Sequence, residues 1–416
     1  MKKLTKTKER AVYFLTAHIL LMTVFTGNLS YASWTYTQGS GNTGTITDGN
    51  WVLNVSYAAG ATSNNITIGT GTSTAGNAVV TADPNWELDL SGIVTNASGD
   101  PKTITGIGSY SFKATQIYRV ILPETLATIG NEAFRSCANI TTVTPFLPDT
   151  VTSIGTYAFE GCKLLEGDLV LSNPSLTSIS ENSFYNAEKI DSIDMSGSGI
   201  LTIAGSSFQN CKGIGYVCLP SNLVSIGGTA FQTCSTLTNV TPFLPDTVTS
   251  MGTYAFEGCK LLEGDLVLSN PSFASVPQNA FANAEKINSI MFGSGIISIA
   301  GGNTFQNCRG VRQVWFCGDV PTFTASSFSG WTNSQARVYV PSGNPTWETY
   351  ADSLNGSITN VIPLTSSQEI DFADAYPGEK MAIGRYYAPG MTSPNRLWYC
   401  LYDPFGGLLK TMIIVR

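Results

Sequence analysis

The sequence predicts a β-rich solenoid, with a parallel β-sheet along one face and short irregular or helical turns along the other. Two observations lead there: a phenylalanine that recurs every 22 to 25 residues, and apolar residues at fixed offsets from it. The series runs through Phe112, Phe134, Phe159, Phe184, Phe208, Phe231, Phe256, Phe281, Phe305 and Phe328. Five residues earlier stand Ile107, Ile129, Ile154, Ile179, Ile203, Ile226, Met251, Val276 and Phe323, with Ile299 displaced by one. Three further back come Leu126, Val151, Leu176, Ile200, Leu223, Val248, Phe273 and Val320. Six residues after the Phe lie Ile140, Leu165, Ile190, Ile214, Leu237, Leu262, Ile287 and Val311. One period cannot bury all these anchors alone, so successive periods must stack and bury them as a continuous column. At about 4.8 Å per neighbouring strand, nine intervals give a rod of roughly 43 Å.

A period of this length with about four apolar anchors is leucine-rich-repeat geometry. The segment Ile154-Gly-Thr-Tyr-Ala-Phe159-Glu-Gly-Cys162-Lys-Leu-Leu165 resembles the BspA-like (treponemal-type) leucine-rich repeat, whose signature is I-G-x-x-A-F-x-x-C-x-x-L. The resemblance covers residues 86–331, an array of about ten repeats. It implies a curved solenoid on a bacterial or protist surface, adhesin-like where members have a role.

A larger duplication lies over the repeats. Residues 143–175 and 240–272 differ only at Ile154 against Met251, at an offset of 97 residues or four repeats. Such identity reads as a recent copying event, and it shows that the stack extends by whole turns.

An open stack exposes its core at both ends and needs caps. Residues 33–85 are rich in Thr, Gly, Asn and Ser, with strand-like runs at Thr45–Thr47, Trp51–Val55, Asn65–Ile68 and Ala78–Thr81. They read as a β-rich N-terminal cap that continues the solenoid with less regular turns. Trp34, Trp51 and Trp86 supply apolar area to seal the first turn; exposed sugar stacking is their alternative role. Residues 332–362 resemble the family's closing turn, a strand ending in Val340-Pro341, a short helix around Trp347 and a last strand. Residues 363–416 read as a small antiparallel β unit for attachment or packing. Its strand candidates are Met381–Tyr387, Leu397–Tyr402 and Leu408–Val415.

Residues 1–32 have the three parts of a secretory signal peptide. Five basic residues stand among the first ten, an apolar stretch follows from Ala11, and Tyr31-Ala32-Ser33 ends it, placing cleavage after Ala32. No later stretch reaches 20 apolar residues, so no membrane span is expected after cleavage. Removal of the leader leaves 17 basic against 28 acidic residues, a net charge of −11. That balance repels phosphate backbones and excludes nucleic acid as a partner.

The single histidine, His18, sits in the leader, so the mature chain has none for a triad, a general base or a metal site. Six of the nine cysteines, Cys137, Cys162, Cys211, Cys234, Cys259 and Cys308, fall three residues after a repeat Phe. Ala187 and Ala284 take the same slot elsewhere, which points to small buried free thiols rather than disulfides or zinc ligands. The carboxylate pairs Glu166/Asp168 and Glu263/Asp265 could in principle serve a glycosidase. Their occurrence as two copies of one turn makes them structural instead, so neither catalytic residues nor cofactor or metal sites are expected. Gly39–Gly44 precedes no strand-to-helix unit and cradles no phosphate.

The outward sheet face is expected to read Thr142/Thr144, Ser192/Asp194, Tyr216/Cys218, Asn239/Thr241, Ser289/Met291 and Gln313/Trp315. The Glu-Gly-Asp turns are left out, their register being ambiguous by one residue. Tyr216, Asn239, Gln313 and Trp315 are the candidate ligand contacts, with the two aromatics as anchors; alternatively Trp315 and Phe316 seal the C-terminal end of the core. The expected function is non-catalytic binding of a host or matrix protein or glycan. The alternatives are a structural spacer displaying a terminal module and, more weakly, an exported carbohydrate-active enzyme.

Overall fold

The computed structural model describes residues 33–57, 64–171, 173–331, 336–341, 344–350 and 360–364, with the pairs 370–371 and 380–381. The leader, Cys400 and the C-terminal strand candidates, apart from Met381, lie outside the described residues.

The chain begins with strands β1 (Ser33–Gln38), β2 (Thr43–Thr47), β3 (Val52–Ser56), β4 (Asn65–Ile68) and β5 (Val79–Thr81). Then come β6 (Glu87–Asp89), β7 (Ile93–Asn96) and β8 (Pro101–Ile107). Strands β1 to β4 pair antiparallel in sequence order, β4 pairs parallel with β8, β8 antiparallel with β7, and β7 parallel with β1. The six strands therefore close a ring, which removes the free edges that an open cap would present. Strict alternation buries Trp34, Tyr36, Ile46, Leu53, Val55, Ile66 and Ile68.

This ring differs from the expected irregular solenoid turns, and it takes in β7 and β8 from beyond residue 85. Strand β8 is long enough to serve both structures: Pro101 and Lys102 pair with β7, while Gly106 and Ile107 pair with the first short strand of the array. Trp34 and Trp51 are fully buried, and their indoles donate to the carbonyls of Asp89 (2.9 Å) and Glu87 (2.6 Å). Neither ring is free to stack on a sugar. Trp86 is half-buried and meets Trp51 edge-on at 5.9 Å.

Each following coil carries two strand segments, one on the broad sheet face and one short. The face strands continue from β6 as β9 (Arg119–Ile121), β11 (Thr142–Thr144), β13 (Glu166–Val170), β15 (Lys189–Asp194), β17 (Tyr216–Cys218) and β19 (Asn239–Thr241). They finish with β21 (Glu263–Leu268), β23 (Lys286–Phe292), β25 (Gln313–Phe316), β26 (Arg337–Pro341) and β27 (Asn360–Leu364). Between them lie the two-residue strands β10 (Thr128–Ile129), β12 (Ser153–Ile154), β14 (Ser178–Ile179), β16 (Thr202–Ile203), β18 (Ser225–Ile226), β20 (Ser250–Met251), β22 (Ser275–Val276) and β24 (Ser298–Ile299). All pairing within these rows is parallel, the signature of a stacked β-solenoid. Among the described residues a 3-10 helix spans Ala325–Phe328 and an α-helix, α1 (Pro345–Tyr350), precedes β27, and β28 (Ile370–Asp371) pairs antiparallel with β29 (Lys380–Met381). Trp347 of α1 is buried against Phe316 at 4.8 Å and donates to the Gly318 carbonyl at 3.0 Å.

The face is divided into sheets of three, four and five strands, with breaks after β11 and β19. Proline explains both. After the continuing strands β9, β15 and β17, the next residue donates its N–H to the following coil: Leu122 to Thr144, Met195 to Cys218, Leu219 to Thr241. Pro145 and Pro242 occupy that position after β11 and β19 and have no N–H to give. The two breaks are copies of each other, inherited with the 33-residue duplication.

Inside the coils, the ten repeat phenylalanines form one stack. All nine successive contacts have centroids 5.1 to 5.7 Å apart with near-parallel rings. Beside it runs a thiol ladder. Each of the six repeat cysteines is buried and donates its S–H to the carbonyl of the Phe one coil back, for example Cys137 to Phe112 at 2.8 Å and Cys234 to Phe208 at 3.2 Å. All six are free thiols. A small residue is required here because the side chain sits against the preceding coil's backbone, which is why Ala187 and Ala284 also fit.

Candidate functional site

The candidate face is the outward side of the face strands. Alternation sends Ile193, Val217 and Val240 into the core, so Ser192/Asp194, Tyr216/Cys218 and Asn239/Thr241 point outward. Register aligns them in two rows, Ser192–Tyr216–Asn239 and Asp194–Cys218–Thr241. These strands carry the outward positions expected from the sequence.

Tyr216 is the large side chain of this patch, 41% exposed. Burial of its inner part holds the phenol above its ordinary pKa. It therefore stays neutral, a rigid apolar ring with a polar tip. Thr241 donates to the Asn239 side-chain oxygen at 2.7 Å. The face is pre-organised by its own hydrogen bonds and is short of positive charge.

Asp168 extends the first row, accepting a hydrogen bond from Ser192. The sequence pattern left this residue out because the register of its turn could not be fixed. The cause is a β-bulge: Gly167 pairs with Ile190 but Asp168 with Ser192, so one residue of β15 is skipped. Gly264 and Asp265 repeat the same shift in β21. Both glycines sit at positive φ (93° and 106°), where a side chain is strained. A glycine between two acidic residues, present twice, was the available signal. The bulge also fixes the role of Glu166 and Asp168 as parts of one turn, with Asp168 committed to Ser192.

Two expected contacts are overturned. Gln313 and Trp315 lie on the outward side of β25, as the spacing predicts, but each is only 5% exposed. Trp315 stacks on Tyr339 of β26 with centroids 4.0 Å apart. The neighbouring Phe316 points inward and stacks on Phe292 at 4.8 Å. Gln313 and Trp315 are covered in this structure, which leaves Tyr216 and Asn239 as the exposed candidates. Among the described residues, no group of three or more His, Cys, Asp or Glu side chains could hold a metal ion. No helix among them is long and apolar enough to cross a membrane.

A face of short parallel strands backed by stacked phenylalanines defines a leucine-rich-repeat β-solenoid. The BspA type leucine rich repeat region matches in six copies, over residues 105–238, 143–263 and 239–353, more than half of the chain. The chain belongs to that family, a repeat fold rather than a catalytic one. Among solved structures it is similar to a leucine rich cell surface protein from Faecalibacterium prausnitzii, at 19% identity and a TM-score of 0.44, covering 77% of this chain and 95% of that one. It is also similar to a leucine-rich repeat protein from Bacteroides ovatus, at 18% identity and a TM-score of 0.43, covering 74% and 87%. No curated protein matches the chain.

Proposed function

We propose that this is an exported bacterial repeat protein, secreted or held at the cell surface, that binds a protein or glycan without chemistry of its own. The leader, with cleavage after Ala32, provides export. The ligand lands on the outward face of β15, β17 and β19. The observation that carries this reading is Tyr216, a neutral ring held 41% exposed in an ordered polar face. Large rigid aromatics with a polar tip are the residues that dominate contact energies at such surfaces. The acidic balance of the mature chain disfavours nucleic acid as the partner.

The test is binding of the mature chain, residues 33–416, to a panel of matrix proteins and glycans. Tyr216→Ala is expected to weaken the captured ligand at least about tenfold, or about 1.4 kcal/mol, and Asn239→Ala to weaken it less. Unchanged affinity in both variants would move the site off the sheet and make the solenoid a spacer for a terminal module.

A further inference from the structure

The duplication supplies an internal comparison. Strands β13 to β19 and β21 to β26 follow the same turn, bulge and register, four coils apart. Their outward faces have opposite fates. Tyr216 is 41% exposed, whereas the smaller Gln313 at the matching place is 5% exposed. Cys218 and Thr241 are half-buried and exposed, whereas Trp315 and Tyr339 at their places are 5% and 2% exposed. Met291 completes an apolar row with those two rings, and it too is buried although it points away from the core. Backbone geometry is shared, so strand packing does not account for the difference. Something lies over the second face and not over the first.

We propose that the occupant is this chain's own C-terminal segment, residues 365–416, folded back across the outward rows of β23, β25 and β26. Three observations select it. Strand β27 pairs beside β26 in the same sheet, so the chain leaves at Leu364 from the edge of the covered face. Fifty-two residues follow, including Tyr386-Tyr387 and Trp398-Tyr399, the apolar side chains that an aromatic row would take. The preceding helix α1 is excluded, because its Trp347 packs on Phe316, which points inward. The inference is independent of what binds at Tyr216. It makes the second face a docking surface for the chain's own end and leaves the first as the open one.

The test places the photo-reactive residue p-benzoyl-phenylalanine at position 313 of the full mature chain, with position 216 as the comparison. Irradiation is expected to link position 313 to residues 365–416 of the same chain, and position 216 to none of them. A cross-linked dimer, links into another part of the chain, or no link from 313 would overturn the proposal. Because position 313 is buried, a second measurement keeps its native residue. With a protease site inserted after Leu364, hydroxyl-radical oxidation of Trp315 and Tyr339 is expected to rise to the rate of Tyr216 once the segment is cut and removed. Continued protection of both rings would overturn it equally.

Discussion

Phe231→Ala is expected to destabilise the array by about 3–5 kcal/mol, the range for emptying a phenylalanine site in a packed core. Phe231 is fully buried and stacks on Phe208 at 5.4 Å and on Phe256 at 5.1 Å, so its removal opens a gap in the middle of the column. Neighbouring coils cannot collapse into the gap without breaking the ladder in which Phe231 donates to Ala255 and Thr233 to Glu257. Each repeat gains stability mostly from its two neighbours, so a central loss uncouples both halves. Urea unfolding of the two chains measures it. A loss below about 1 kcal/mol would mean that the ring is not part of a close-packed stack.

The thiol ladder predicts an unusually steep loss of stability in alkali. An unfolded thiol titrates at about 8.5. In the fold, burial pushes Cys137 up to about 11 and Cys234 to about 12. It holds Cys162, Cys211, Cys259 and Cys308 far above the ordinary range as well. The native state thus keeps protons that the unfolded state has released, and stability falls as pH rises. This contribution is intact below about 8.5, and each thiol then removes about 1.4 kcal/mol per pH unit until its folded pKa is reached. Six together remove about 8 kcal/mol per unit, enough to exhaust an ordinary stability of about 5–15 kcal/mol within two pH units. Unfolding is expected by about pH 10. Replacing Cys137 and Cys162 by Ala, the residue already present at 187 and 284, should cut the slope by about a third. A slope unaltered by that double substitution would show that these thiols do not hold their protons in the fold.

The array was legible because its physics is local and repeated. A Phe, an apolar residue five before it and a small residue three after it recur often enough to define the coil without any long-range information. Strand positions on the face followed from the same spacing, which is why Tyr216 and Asn239 stand where the pattern puts them. The closed ring at the N-terminus was not legible, because β1 pairs with β7 across some 60 residues and nothing in Ser33–Gln38 specifies that partner. Residue pattern also failed at Gln313 and Trp315. Alternation tells which way a side chain points, but not whether another segment lies on top of it. The proline breaks were readable in principle: Pro145 and Pro242 fall at the strand-end position whose N–H, at Leu122, Met195 and Leu219, reaches the next face strand.

The most direct measurement is a structure of the mature chain with whichever ligand the binding panel captures. The account predicts the ligand against the ring of Tyr216, spanning the rows of Ser192, Asn239 and Thr241, with Trp315 and Tyr339 still covered. A ligand seated on the β1–β8 ring, or on the C-terminal residues alone, would contradict it and reduce the ten-coil array to a support.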